Sequence, residues 1–266
     1  MGSRGKKFIY NSVLSFVQQL VTIICGLILP QLVLKTFGSS INGTMSSITQ
    51  FLSFITLLQG GVGTVARLAY YKPLANNDQE GISIAYKTVS LFYKKFSILF
   101  CIYLAIMCVA YPIIVDTGYS FTYVASLVLI LGLSSVFEYF FGQASQMLLY
   151  AAQRNYIYSV IQILCTIAST VIGVYLVKAG ASIHVIKFAS ALIYAVRPVC
   201  LWLYVRKKFS IISKCKANNA LLAQRNAALV RHIAFYIHTS TDTIVLSLFS
   251  NVLWVSVYAV HNYVIS

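Results

Sequence analysis

Seven long apolar stretches, separated by short polar segments, constrain how this chain folds more than any other feature. A helix needs about 20 mainly apolar residues to cross the ~30 Å hydrocarbon core of a bilayer. Unpaired backbone groups are not tolerated in lipid, so the sequence predicts an all-α, polytopic bundle of transmembrane helices. The stretches are residues 10–34, 43–66, 96–115, 121–146, 156–178, 185–205 and 232–250, and an eighth begins at Val252.

The charged residues are few and mostly basic. They make up 9% of the chain, against about 25% in soluble domains, and the net charge is +15. If the N-terminus is cytoplasmic, sixteen Lys and Arg lie on the cytoplasmic side and three outside. Positive loops stay cytoplasmic, so we predict this orientation. Because the basic residues form no separate hydrophilic module, we do not expect binding to nucleic acid.

The order of the stretches predicts three regions. Residues 1–205 hold six spans and form a first lobe, and residues 206–231 form a basic cytoplasmic loop. That loop either contacts anionic lipid or substrate or only sets the orientation. Residues 72–95 are predicted as a second cytoplasmic loop. Residues 232–266 hold a seventh span and a truncated eighth, and because a half-span cannot end in lipid, we expect a fragment of a longer protein.

Arg197 is the first candidate for a functional residue, because a charge inside a span is costly to keep there. It lies eight residues before Val205, about 12 Å along the helix axis. Pro198 follows it and loosens the helix locally. Arg197 either anchors a phosphate-bearing ligand, or pairs structurally with Glu138 or Asp242, or extends to the cytoplasmic interface.

Three further ionisable residues within predicted spans are candidates for a functional role. Asp242 follows Thr239, Ser240 and Thr241 in the seventh span, and Glu138 lies in the fourth. Each carboxylate either couples proton or cation movement or belongs to a polar packing cluster. His238, one helical turn before Asp242, is a candidate proton relay.

Polar residues near the cytoplasmic ends of spans one and two complete the candidate site. Arg67 follows Gly60, Gly61 and Gly63, which permit close helix approach or a helix break. It either binds substrate or serves packing and topology. Asn11 and Gln18 share one stripe of span one and are candidates to line a polar cavity.

Motifs typical of enzymes are absent from the sequence. We find no phosphate-binding glycine loop, no HExxH and no GxSxG, and the chain has only five Asp and Glu. Its cysteines form no CxxC pair. We therefore expect no enzymatic activity, no cofactor and no metal site.

A series of short motifs runs along nearly the whole chain. In this order they resemble the N-terminal half of polysaccharide flippases of the multidrug/oligosaccharidyl-lipid/polysaccharide (MOP) exporter superfamily, which includes O-antigen and capsule repeat-unit flippases. The motifs are Leu29-Pro30, Lys35-Thr36-Phe37-Gly38, Asn42-Gly43, Leu57-Leu58-Gln59-Gly60-Gly61-Val62-Gly63, Tyr71-Lys72-Pro73-Leu74-Ala75, Arg197-Pro198, Leu203-Tyr204-Val205-Arg206, Thr241-Asp242-Thr243-Ile244-Val245-Leu246-Ser247 and Val255-Ser256-Val257-Tyr258.

The resemblance implies two pseudo-symmetric lobes, of which this chain supplies the first and the start of the second. It implies alternating-access movement of undecaprenyl-pyrophosphate-linked oligosaccharide across the bacterial cytoplasmic membrane. Arg197 and Arg67 would attract the pyrophosphate, and Asp242 falls where the family commonly has a polar motif. Gln59 departs from the acidic residue expected there. Membrane lipids and polysaccharide polymerase or assembly proteins are the implied partners.

Two other functions remain open on the sequence. The first is export of drugs or lipids by the same superfamily. The second is a non-transporting membrane subunit of a polysaccharide synthesis complex.

Overall fold

The chain folds into a bundle of α-helices. The computed structural model describes residues 3–55, 62–212, 215–222, 245–247, 249–250 and 252–265, and no residue in these ranges forms a strand. The prediction of an all-α, polytopic helical bundle is confirmed. The elements are α1 (Ser3–Phe54), α2 (Val62–Ala75), α3 (Gln79–Ile114), α4 (Phe121–Phe137), a π-helix (Glu138–Gly142), α5 (Gln143–Ala151), α6 (Asn155–Lys178), α7 (Ile183–Lys208), a 3₁₀ helix (Asn219–Leu222) and α8 (Val252–Ile265).

Five helical segments among the described residues are long and apolar enough to cross a membrane. The third of them joins α4, the π-helix and α5 into one span. Large apolar side chains such as Ile106, Leu164 and Val171 are exposed on their outer faces, and extensive apolar surface of this kind suits contact with lipid. The segments are Lys7–Phe54, Gln79–Ile114, Phe121–Ala151, Asn155–Lys178 and Ile183–Lys208.

The longest helix, α1, changes direction at Gly38. Its φ of 86° and ψ of 172° lie outside the helical region, and glycine adopts a positive φ without steric cost. The predicted spans 10–34 and 43–66 fall on the two sides of this residue. Residues 56–61, within the second predicted span, lie outside the described residues.

Contacts with α3 give the direction of the chain after Gly38. Tyr103 Oη donates a hydrogen bond to the Phe51 carbonyl at 2.7 Å. Closer to the start of α3, Gly63 on α2 lies near the Tyr93 hydroxyl. Phe51 thus contacts the later residue of α3 and Gly63 the earlier one, so this part of the chain runs antiparallel to α3.

The prediction of a loop over residues 72–95 is wrong. The chain turns only at residues 76–78, and α3 then continues unbroken from Gln79 to Ile114. Asp78 caps this helix, because its Oδ1 accepts a hydrogen bond from the Gly81 amide at 2.9 Å. An aspartate at this position satisfies one of the free amides of the first helical turn.

The error has a physical cause in the distribution of charge around α3. Lys94 and Lys95 are exposed, whereas Tyr86, Val89 and Tyr93 are buried. Apolar residues three and four positions apart form one face of an amphipathic helix. The charged residues therefore lie on the exposed face of a continuous helix whose opposite face is buried.

The core is built from two packed regions. One contains Phe100 of α3 and Leu127 of α4, and the other contains Tyr70 of α2 and Leu201 of α7. Small residues bring the helices close together at several points. At one of these, Gly132 of α4 packs directly against the Leu104 side chain of α3.

The C-terminal helix α8 packs against the part of α1 that follows Gly38. Asn42 Nδ2 donates to Ser256 Oγ of α8 at 2.9 Å, and the hydroxyl of Ser247, which precedes α8, lies 2.7 Å from that of Ser47. Hydrogen bonds of this kind hold helices together inside membranes. The division of the chain at residues 205 and 231 stays a prediction.

Valine in place of Gly132 should destabilise the bundle. A Cβ atom at this position overlaps the side chain of Leu104, which is buried, and overpacking a core costs about 1–3 kcal/mol. We expect Gly132→Val to lower the Tm in detergent by several degrees, measured by thiol-reactive dye fluorescence. Gly26→Val is the matched control, because no atom lies within 4 Å of a Cβ there. Equal losses in both variants would contradict the α3–α4 contact.

Candidate functional site

Arg197 and Glu138 meet inside the bundle. Arg197 Nη2 lies 2.7 Å from Glu138 Oε2, and the two side chains are 16% and 12% exposed. Among the described residues this is the only ion pair between side chains. Buried charges are stable only when they are paired and hydrogen-bonded. The ion pair with Glu138, one of the alternatives expected for Arg197, is therefore present.

Two residues of α6 complete the surroundings of the guanidinium. Arg197 Nη1 donates to Gln162 Oε1 and lies 3.4 Å from the Tyr158 hydroxyl. The guanidinium carbon is 5.4 Å from the centre of the Tyr158 ring, which is within the range of cation–π attraction. Arg197 Nε is buried and has no hydrogen-bond partner among the residues that the structure describes. The π-helix and α6 thus supply the partners of a cation on α7, and within the described part of the chain its Nε donor is left over.

Sequence reasoning missed Gln162 and Tyr158. Neither is ionisable, so neither stands out in a search for charges within spans. They are four residues apart on α6 and therefore share one helical face. A polar pair at this spacing in an apolar helix is the signal that would have indicated a buried partner.

Glu138 begins the π-helix. The Gln143 amide donates to the Glu138 carbonyl, five residues back, and single turns of this kind are rare and frequent at functional sites. At its end lies Gly142, where a Cβ would stand 2.8 Å from both Glu138 Oε1 and Pro198 Cβ. Glycine is therefore required for the carboxylate and α7 to approach this closely. Helix α7 itself continues through Pro198.

Arg67 lies in a different environment, on α2. Its guanidinium carbon is 4.6 Å from the centre of the Tyr150 ring on α5. It also donates to the Gly63 carbonyl and to Thr64 Oγ1, each at 3.3 Å. Arg67 is half-buried, so it could exchange these weak contacts for an anion.

Asn11 joins α1 to the turn between α5 and α6. Its Nδ2 donates to the Gln153 carbonyl at 3.1 Å, and its Oδ1 accepts from the Tyr156 amide at 2.8 Å. The side chain thus caps α6 from another helix and has a structural task. Gln18 is half-buried on the same helix. Roles for both in binding substrate stay predictions.

The remaining candidates are Asp242 and His238, which lie outside the described residues. Within the described part of the chain, no three His, Cys, Asp or Glu side chains are placed to share a metal ion.

Comparisons of the chain with family models, curated proteins and solved structures gave no match. What the chain does must therefore be argued from its own residues.

Removal of one charge of the buried pair should cost more than removal of both. Glu138→Gln leaves the Arg197 guanidinium without a counter-charge, and breaking a buried pair costs about 3–5 kcal/mol when it is fully enclosed. With the exposure seen here we expect about 2 kcal/mol, measured as lost thermal stability in detergent. Glu138→Gln combined with Arg197→Gln should recover part of that loss. Additive losses would contradict a direct interaction.

Alanine at position 142 should also weaken the bundle. Its Cβ would collide with Pro198, a rigid side chain, as well as with the Glu138 carboxylate. We expect Gly142→Ala to lower the Tm by several degrees. Gly63→Ala serves as the control, because the nearest atom to a Cβ there is 3.6 Å away, an ordinary contact distance. Unchanged stability of Gly142→Ala would rule out the close approach of α7 to the π-helix.

Proposed function

We propose that this protein translocates undecaprenyl-pyrophosphate-linked oligosaccharide repeat units across the bacterial cytoplasmic membrane for surface polysaccharide biosynthesis. The observation that carries the proposal is the buried Arg197 guanidinium, which polar side chains of the π-helix and of α6 surround within an apolar bundle. An intramembrane cation of this kind is a functional-site hypothesis by default. The resemblance to MOP polysaccharide flippases supports the choice of substrate.

Arg197 suits a pyrophosphate because of its charge and its geometry. A guanidinium stays protonated and binds two phosphate oxygens at once. The Glu138 carboxylate contacts one nitrogen of Arg197, Nη2, and Nε has no partner in the described part of the chain. In the proposed mechanism a phosphate oxygen replaces the Glu138 carboxylate on Nη2, so that the substrate enters as the ion pair opens. Return of Glu138 releases it.

Arg67 would meet the substrate before Arg197 does. In the proposed orientation the N-terminus and the end of the bundle that carries most Lys and Arg face the cytoplasm, in accordance with the positive-inside rule. Arg67 lies on α2, two turns before the exposed end of that helix. Its contacts with Tyr150 and Thr64 are weak, so a pyrophosphate could displace them.

The remainder of the mechanism depends on a second lobe. We propose that residues 232–266 begin this lobe and that the two lobes enclose the substrate alternately from each side. Asp242 and Glu138 would then couple charge movement to the change of conformation, with His238 as a proton relay.

Arg197→Gln in the full-length protein should reduce transport at least tenfold. The measurement is movement of fluorescently labelled undecaprenyl-pyrophosphate-linked oligosaccharide between leaflets of proteoliposomes. Arg206→Gln is the matched control, because it removes the same charge from an exposed position of the same helix. Its activity should remain close to that of the wild type.

The variant carrying Glu138→Gln and Arg197→Gln separates a binding role from a structural one. It should fold but stay inactive, since the cation is gone; wild-type transport by it would disprove the anchor role. Movement of unrelated amphiphiles instead of the labelled oligosaccharide by the wild type would favour a drug or lipid exporter. Absence of any transport, with loss of complex assembly on deletion, would favour a non-transporting subunit.

A further inference from the structure

A crevice of about 470 Å³ opens at the end of the bundle that carries most of the basic residues. It lies between the start of α1, the end of α2, the turn between α5 and α6, and Phe209 just after α7. Apolar side chains such as Leu74 and Phe209 form part of its wall. Its charged lining residues are Lys7 and Arg154. The crevice thus combines an apolar wall with two cations.

Neither cation is paired with a carboxylate in the described part of the chain, where the Glu138–Arg197 bridge is the sole ion pair. Arg154 Nη1 lies 3.4 Å from the Tyr204 hydroxyl, and its guanidinium carbon is 5.9 Å from the centre of the Phe209 ring. These contacts orient the guanidinium without neutralising it. Two positive charges therefore line one concave space, and no described residue supplies a counter-charge.

The turn that carries Arg154 is fixed by its surroundings. Asn11 binds the Gln153 carbonyl and the Tyr156 amide on either side of it. Gln153 has a φ of +56°, a strained value for a residue other than glycine. Backbone strain of this kind persists only where the surrounding structure holds it. The cation of Arg154 is thus presented from a preorganised turn, which lowers the entropic cost of binding a ligand.

We propose that this crevice binds the phosphate of an anionic membrane lipid from the adjoining leaflet. Arg and Lys are the side chains that bind phosphate most strongly. Lys7 is followed directly by Phe8 and Ile9, which are 71% and 43% exposed, so the cations lie where a lipid-facing surface meets the aqueous phase. Basic groups at that level attract anionic headgroups.

The size of the crevice favours a lipid headgroup over a free anion. A space of about 470 Å³ is typical of sites for organic ligands and much larger than inorganic phosphate. A glycerol phosphate headgroup would place its phosphate between Lys7 and Arg154. Its acyl chains would then lie along the exposed apolar side chains of α1.

Native mass spectrometry and thermal stability together test the proposal. The protein is placed in detergent micelles that contain equal amounts of phosphatidylglycerol or of phosphatidylcholine. The wild type should retain phosphatidylglycerol with at least fivefold preference, and this lipid should raise the Tm, because a ligand bound to the folded state stabilises it. Lys7→Gln combined with Arg154→Gln should abolish both effects.

Lys207→Gln combined with Lys208→Gln is the matched control, because it removes two exposed charges from the same end of the bundle. This variant should keep the lipid preference; if it loses as much as the crevice variant, the effect is one of general charge and the site is disproved. An equal rise in Tm with sodium phosphate and no lipid would overturn the lipid as the ligand.

A single substitution protects the test against misfolding. Arg154 packs against Tyr204 and Phe209, so its replacement could disturb the end of α7. Lys7→Gln leaves those contacts in place and should still reduce the preference for phosphatidylglycerol severalfold. Lys7→Arg should restore it, and a failure of Lys7→Gln to change the preference would contradict the proposal.

Discussion

A guanidinium inside a membrane bundle needs a counter-charge and hydrogen-bond acceptors, and this requirement determines how the π-helix, α6 and α7 meet. Arg197 obtains the charge from Glu138 and the acceptors from Gln162 and Tyr158. Each comes from a helix other than its own, so the cation holds three elements at fixed distances. In such an apolar environment, loss of these partners would leave a buried charge unpaired, which is strongly destabilising. The same arrangement explains why Gly142 lies beside the carboxylate, where any side chain would separate α7 from the π-helix.

Much of the fold follows from hydropathy, since a segment long and apolar enough to span a bilayer has few alternatives to a helix. The spans over residues 121–146, 156–178 and 185–205 correspond to long helices. Prediction failed at the start of α3, where lysines on one face concealed an amphipathic helix. Hydropathy did indicate a break between the predicted spans 10–34 and 43–66, and the bend at Gly38 falls in that interval.

The candidate site was predictable only in part. Charged residues within a span are energetically unfavourable, so Arg197 and Glu138 stand out in the sequence. Their ion pair was one of the alternatives expected for Arg197. Gln162 and Tyr158 are neutral and so do not stand out in the sequence. The helix that faces Arg197 is determined by tertiary packing, which the sequence of one span does not reveal. Asn11 illustrates the same limit. Its position suggested a cavity lining, which stays a prediction, but gave no sign of its hydrogen bonds to Gln153 and Tyr156, which depend on how α1 passes the turn before α6.

The π-helix gives one membrane span two different contact faces. An additional residue rotates everything after it by about 100°, the rotation of one residue in an α-helix. Before the π-helix, Gly132 of α4 faces Leu104 of α3. After it, the Ala144 carbonyl of α5 accepts a hydrogen bond from Tyr70 of α2. A loss of one residue here would leave hydropathy, length and charge almost unchanged, yet it would turn α5 away from α2. The composition of this span therefore does not determine which faces of α4 and α5 contact their neighbours.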